Sequence, residues 1–208
     1  MLYINLLGNL DINNELLEKV VAVEILNLLR PMVAVSVWVA NIGIGMHQFP
    51  EAAKQLQNGG NQYIEMFLQE TRRYYPFFPF AVARVQKDFE YEGFKLKKDT
   101  LTLLDLYGTN RHPKDWSQPE TFLPERFINW KQTPFNFIPQ GGGNYDFGHR
   151  CAGEFVTMSM MKATIHYLIK YISYDVPEQN FDFNFNFNFN DIPAVPSDGF
   201  TINNIHYL

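Results

Sequence analysis

The sequence predicts a mainly α fold with small β-sheets, of the α+β class. Three observations carry that prediction. Apolar residues recur at helical spacing over long stretches near both ends of the chain. The middle switches to a period of two between turn residues. A proline- and glycine-rich irregular region separates that section from the second helical stretch.

The composition supports a packed core. Of 208 residues, 46% are hydrophobic and 19% charged, and 19 Phe, 11 Tyr and 3 Trp supply large side chains, which excludes global disorder. The formal charge of −5 gives the chain no electrostatic claim on nucleic acid or an anionic membrane. One cysteine excludes an internal disulfide framework. His112 and His149 have no partner at metal-ligand spacing. Met1-Leu-Tyr-Ile-Asn lacks a basic n-region and a small-residue cleavage site, so no signal peptide is read. A soluble, cytoplasmic protein is expected.

The first element is a long helix, from Asp11 or so to Met46, with residues 15–46 as its body. Asp11, Asn13 and Asn14 can cap it, and Glu15 and Glu18 suit the positive end of its dipole. Leu16, Leu17, Val20, Val21, Val23 and Ile25 cover much of its circumference. Pro31 removes a backbone donor and is expected to kink it. From Pro31 to Pro50 there is no charged residue. A membrane span needs about 20 mostly apolar residues, but Ser36, Asn41, Gly43, Gly45, His47 and Gln48 interrupt this run. A helix buried in a globular core is expected, and no membrane span.

Shorter helices follow at Pro50–Gln57, ended by Gly59-Gly60, and over residues 62–75, stopped by Pro76 and Pro79. Residues 80–106 form the β region: Val82 to Tyr91 and Phe94 to Lys97 read as a hairpin about Gly93, and Thr100 to Leu106 as a further strand. Residues 107–135, with Pro113, Pro119 and Pro124, read as an irregular meander long enough to have a functional or closely packed role. Residues 138–153 form a glycine-rich loop ending in Cys151 and Gly153. Residues 154–172 return to helix, and residues 174–205 read as a β-like tail. Within that tail, Phe181 to Asn190 alternates Phe with polar residues. It is either a half-buried strand or a low-complexity edge segment, and no function is assigned to it.

Three fragments carry chemistry. Cys151 lies in Phe147-Gly-His-Arg-Cys-Ala-Gly153, just before a helix and beside Arg150, a setting that suits an anionic sulfur. The flanking glycines let the backbone approach something flat. A solitary Cys is otherwise a small buried hydrophobe. Glu70-Thr-Arg-Arg73 places Glu70 and Arg73 on one helical face; taken alone it reads equally as a solvated pair. Pro124-Glu-Arg126-Phe127 is a proline-started turn.

In this order, E-x-x-R, then P-E-R-F, then F-I-P-Q-G-G-G…G-H-R-C-x-G resembles the C-terminal half of a cytochrome P450. The resemblance runs from about residue 15 to 205 and implies a single partial domain of that fold over 1–208. It implies haem b with Cys151 as axial ligand of the iron, and Gly153, His149 and Arg150 beside the cofactor. Most of the family carry Arg two residues before the cysteine. Here that position is His149, so the propionate partner stays open between His149 and Arg150. Glu70, Arg73 and Arg126 would form a buried ion network that holds the meander and the Cys loop.

The branch within the family is read from the long helix. Ordinary members carry an acid–Thr pair there. This chain has Arg30-Pro31, and the nearest upstream carboxylate is Glu24. Arg30-Pro31 resembles the fatty-acid peroxygenase type, as do Gln140-Gly-Gly-Gly, Leu104-Asp-Leu-Tyr-Gly-Thr-Asn110 and Tyr174-Asp-Val-Pro-Glu-Gln179. The resemblance implies Arg30 and Pro31 as catalytic positions, with Arg30 holding a fatty-acid carboxylate and hydrogen peroxide as oxidant. Hydroxylation or decarboxylation of the acid follows, with no redox partner required. The alternatives are an ordinary monooxygenase using O2 and redox partners, and an inactive truncated fragment.

Overall fold

The computed structural model describes residues 14–183 and 192–208. The readings that fall on Asp11 and Asn13, and on the Phe–Asn alternation from residue 184 to 190, lie outside the described residues. So do those on the side chains of Asn14 and Glu15. The described chain is mostly helix with three two-stranded sheets, the class expected from its periodicities. It divides into two bodies, Met1–Ser36 and Val37–Leu208.

Helix α1 runs Asn14–Gln48 and continues through Pro31. Proline has no N–H, so the carbonyl of Asn27, four residues back, lacks its helical donor there. The expectation of a helix buried throughout is corrected. Leu28 is 71% exposed, and Met32 and Val33 are each 64% exposed. Burial begins only near Val35 and is complete at Trp38, Asn41, Ile42 and Ile44. Periodicity reports how apolar a face is, whereas burial depends on what packs against it. By length and composition Leu16–Gln48 would pass for a membrane span, with a mean hydropathy of 1.8. Its Val37–Gln48 portion nevertheless lies mostly in the packed interior of the second body.

In the second body, α2 spans Pro50–Asn58 and α3 spans Gly60–Tyr74. Gly60 has φ +64° and starts α3 rather than only ending α2. Helix α3 is the spine of this body. Tyr63, Ile64, Phe67 and Leu68 are buried on it, and so are Glu70, Thr71, Arg72 and Arg73. Phe67 and Tyr74 meet Phe122 edge to face at 5.2 and 5.5 Å, while Phe49 stacks on Phe122 at 4.4 Å. Such ring pairs add about 0.5–1.5 kcal/mol each beyond area burial.

The β region departs from the expected single hairpin arm over Val82–Tyr91. Strand β1 (Phe80–Arg84) stops, and β2 (Phe89–Tyr91) pairs with β3 (Phe94–Leu96) in a separate hairpin. Glu92 and Gly93, at φ 49° and 83°, make its two-residue turn. Both central residues with positive φ match the twist of the strands. Between β1 and β2, Asp88 accepts from the Lys98 N–H at 2.7 Å and from Lys97 Nζ at 2.8 Å. Strand β4 (Leu101–Asp105) then returns antiparallel to β1, with Phe80 opposite Asp105. A short helix α4 (Leu106–Thr109) follows, capped by Asp105, whose Oδ1 accepts from the Gly108 N–H at 2.7 Å.

The irregular meander contains one 3-10 turn, Pro124–Phe127. It is packed around Trp116, Phe127, Trp130 and Phe137, whose ring centroids lie 5.2–5.8 Å apart. Helix α5 (Glu154–Lys170) follows the Cys151 loop and buries Met161 and Ile165. In the tail, β5 (Ile172–Asp175) pairs with β6 (Asn203–Tyr207). The β-like tail expected over 174–205 is strand only at its two ends; residues 197–202 turn at Gly199, φ +70°.

Candidate active site

Glu70 and Arg73 stand one turn apart on α3, both with 0% exposure. Arg73 Nε and Nη2 donate to the two Glu70 oxygens at 2.7 and 2.8 Å, a bidentate pair. Glu70 Oε1 also accepts from the Leu123 N–H at 2.7 Å. Arg126 Nε lies 3.2 Å from the same oxygen. One carboxylate therefore faces two guanidiniums, and the surplus positive charge is met by carbonyl oxygens. Arg73 Nη1 donates to Pro119 at 2.9 Å, and Arg126 donates to Ser117, Gln118 and Thr121 at 2.6–3.2 Å. These acceptors all belong to the meander, so its path is set by Arg73 on α3 and by Arg126 within the meander, both bonded to Glu70. Burial lowers the pKa of Arg126, and Glu70 opposes that shift.

Arg72, the residue beside Arg73, builds a second network that the sequence reading did not anticipate. Its Nη2 donates to Glu154 Oε1 at 2.5 Å. Arg150 Nε and Nη2 reach the two Glu154 oxygens at 2.6 and 3.2 Å. Tyr145 Oη donates to Glu154 Oε2 at 2.9 Å. The Arg72, Arg150 and Glu154 side chains are all less than a tenth exposed. Burial pushes the Glu154 carboxyl up, but the bonds from Arg150 and Arg72 outweigh it and hold it at about 2. The one local signal was the i, i+4 spacing of Arg150 and Glu154; Arg72 lies 82 residues away.

The Cys151 loop is pinned by its backbone. The Cys151 N–H donates to the Gln140 carbonyl at 3.0 Å, the His149 N–H to Gly142 at 3.1 Å, and the Gly148 N–H to Asn144 at 2.8 Å. Gly141 has φ +90°, and a Cβ there would sit 1.9 Å from the His149 carbonyl oxygen. No other residue fits that approach without moving the loop. Gly148 likewise meets its own loop, at 2.6 Å from the Asn144 carbonyl oxygen, and not an outside surface.

Cys151 is exposed, contrary to the buried-hydrophobe alternative. At Gly153 an added Cβ would meet only Cys151 Sγ, at 3.7 Å. Phe147, in the same loop, is 94% exposed. An open sulfur on a rigid loop, flanked by a glycine and an uncovered aromatic, fits a flat apolar group with a metal at its centre. His149 is exposed and its side chain makes no hydrogen bond among the described residues, whereas Arg150 is committed to Glu154. Among the described residues no cluster of three His, Cys, Asp or Glu holds a metal. His112 is a turn residue: its Nδ1 accepts from the Lys114 N–H at 3.4 Å and its carbonyl from the Trp116 N–H at 2.9 Å.

In the first body, Arg30 is exposed on α1 and makes no ion pair with Glu24 among the described residues.

Residues 59–197 match the family model for cytochrome P450, and the chain belongs to that family. The family implies a haem iron. Among curated relatives, cytochrome P450 71B25 of Arabidopsis thaliana is 30% identical over 60% of this chain and 25% of its own length. Cytochrome P450 71A8 of Mentha piperita is 29% identical over 56% of this chain and 24% of its own. Solved structures are more similar. Cytochrome P450EX alpha with myristic acid is 47% identical, with a TM-score of 0.81 over 92% of this chain and 45% of that one. Cytochrome P450SP alpha with (R)-ibuprofen is 42% identical, with a TM-score of 0.80 over 89% and 44%. An OleT variant with arachidonic acid is 35% identical, with a TM-score of 0.76 over 90% and 43%. The chain thus spans about a quarter of the curated relatives and less than half of these solved chains.

Proposed function

We propose that this chain carries the thiolate and carboxylate-anchor parts of a peroxide-dependent fatty-acid hydroxylase. The observation that carries the reading is Arg30. Between Glu24 and Glu51 it is the sole charged residue, it is followed by Pro31 where an acid–Thr pair would serve an O2-using enzyme, and its guanidinium is unpaired among the described residues. The myristic-acid complex of the 47%-identical cytochrome P450EX alpha supports the same substrate class.

Cys151 would hold the haem iron through its sulfur, with Gly153 keeping the flank open and His149 free to meet a propionate. A thiolate-ligated haem, the arrangement established for cytochromes P450, supplies the oxidising chemistry when bound. Arg30 would bind the fatty-acid carboxylate by two parallel hydrogen bonds. That carboxylate then takes the role of a protein acid. It accepts a proton from one oxygen of hydrogen peroxide and returns it to the departing oxygen as water. The balance is one C–H and one H2O2 converted to one C–OH and one water, with no external electrons and so no redox partner. Pro31 breaks the helical hydrogen-bond ladder next to Arg30 and sets the local backbone.

The test is the purified chain with haemin. The reduced, carbon-monoxide-bound spectrum should show a thiolate-type Soret band that Cys151→Ala removes. Myristic acid and hydrogen peroxide should yield hydroxylated acid, and Arg30→Ala should abolish turnover while the Soret band persists. Full turnover by the Arg30 variant would overturn the anchor role.

A further inference from the structure

Helix α3 grips two separate segments with two adjacent residues. Arg73 is committed to Glu70 and the meander, and Arg72 to Glu154 at the start of α5. Glu154 sits three residues after Cys151, and its N–H donates to the Cys151 carbonyl at 3.2 Å. Its carboxylate takes four donors from three directions: Arg72 on α3, Arg150 immediately before Cys151, and Tyr145 at the other side of the loop. The Arg150 guanidinium also lies 4.3 Å from the Tyr145 ring centroid, and that of Arg72 lies 5.3 Å from the Phe137 ring. Both ends of the loop segment Tyr145–Arg150 are therefore tied to one buried anion.

We propose that Glu154 is the positioning residue of the Cys151 loop: it holds the segment from Tyr145 to Cys151 against α3 and so sets where the sulfur points before any cofactor arrives. The proposal rests on the reading of Cys151 as the haem ligand, but the arrangement belongs to the chain alone. A pair serving only to dock α5 on α3 would need no more than the Arg72–Glu154 bond. Here two of the three partners lie within the loop itself, and one is adjacent to the cysteine. The loop's own backbone bonds, such as Cys151 to Gln140 and Gly143 to Pro134, stay within residues 134–151 and do not reach α3. Arg72–Glu154 is the side-chain bond that joins the network to the distant helix α3.

The measurement is amide hydrogen exchange on the cofactor-free full chain, comparing Glu154→Gln with the parent. Gln keeps the shape but loses the charge and half of the acceptor capacity. The expected result is at least tenfold faster exchange at residues 141–151, with protection of α3 and of the meander unchanged. Equal exchange in the loop, or equal acceleration everywhere, overturns the proposal. Should Glu154→Gln fail to fold, Arg150→Lys decides by the same comparison, because it leaves Arg72–Glu154 intact and removes only the bidentate tie to the loop. A second readout follows haemin addition: the variant should show a mixture of thiolate-type and non-thiolate Soret bands where the parent shows one. If the parent shows no thiolate band, the haem reading fails while the exchange result still judges the positioning role.

Discussion

Arg72 and Arg73 are adjacent on α3, both essentially without solvent exposure, and they serve different buried anions: Arg72 bonds Glu154 and Arg73 bonds Glu70. Consecutive helical residues point about 100° apart, so one turn of α3 presents two guanidiniums to two faces. A buried ion pair gains little net stability over an apolar pair of the same shape, yet losing one partner leaves an uncompensated charge. The two pairs therefore act as registry devices for the segments packed on α3.

Glu70→Gln should be the more damaging substitution in the meander network. It leaves Arg73 and Arg126 facing one another without their shared carboxylate, at a cost of about 3–5 kcal/mol. Urea unfolding should show that loss as a shifted midpoint, or no cooperative transition at all.

Trp116 is almost fully buried, stacks on Trp130 at 5.3 Å and lies 5.6 Å from the Arg73 guanidinium. Trp116→Ala should cost about 3–5 kcal/mol through the cavity it leaves. Thermal melts read by circular dichroism would check this.

Gly141→Ala meets both a positive φ and the His149 carbonyl oxygen at 1.9 Å. The expected outcome is a folded chain with a displaced Cys loop, costing upwards of about 1 kcal/mol. With haemin it should give little thiolate-type Soret band.

Cys151→Ala removes an exposed side chain, so its effect on folding should be small, within about 0.5 kcal/mol. Loss of the thiolate band with an unchanged melting curve separates ligation from stability.

Gly93→Val serves as a distant control. The hairpin turn needs φ 83° at Gly93, so β2 and β3 should loosen, while the haem spectrum and the exchange of residues 141–151 stay as in the parent.

What was legible in the sequence was local. The helical periods, the proline and glycine stops, the E-x-x-R face and the glycine-flanked Cys151 all depend on residues within a turn or a loop of one another. Their order along the chain was enough to carry the family resemblance. The packing of α3 and α5 decided the rest. It brings Arg72 to Glu154 across 82 positions, a meeting no spacing rule encodes. It also commits Arg150, read from the sequence as a cofactor contact, to a carboxylate three residues beyond Cys151. Separately, Leu28 to Val33 are exposed on a helix whose pattern reads as core. A side chain's residue type states which partners it can take; the assembled neighbours determine which partner it has, because burial and hydrogen bonding are properties of what surrounds it.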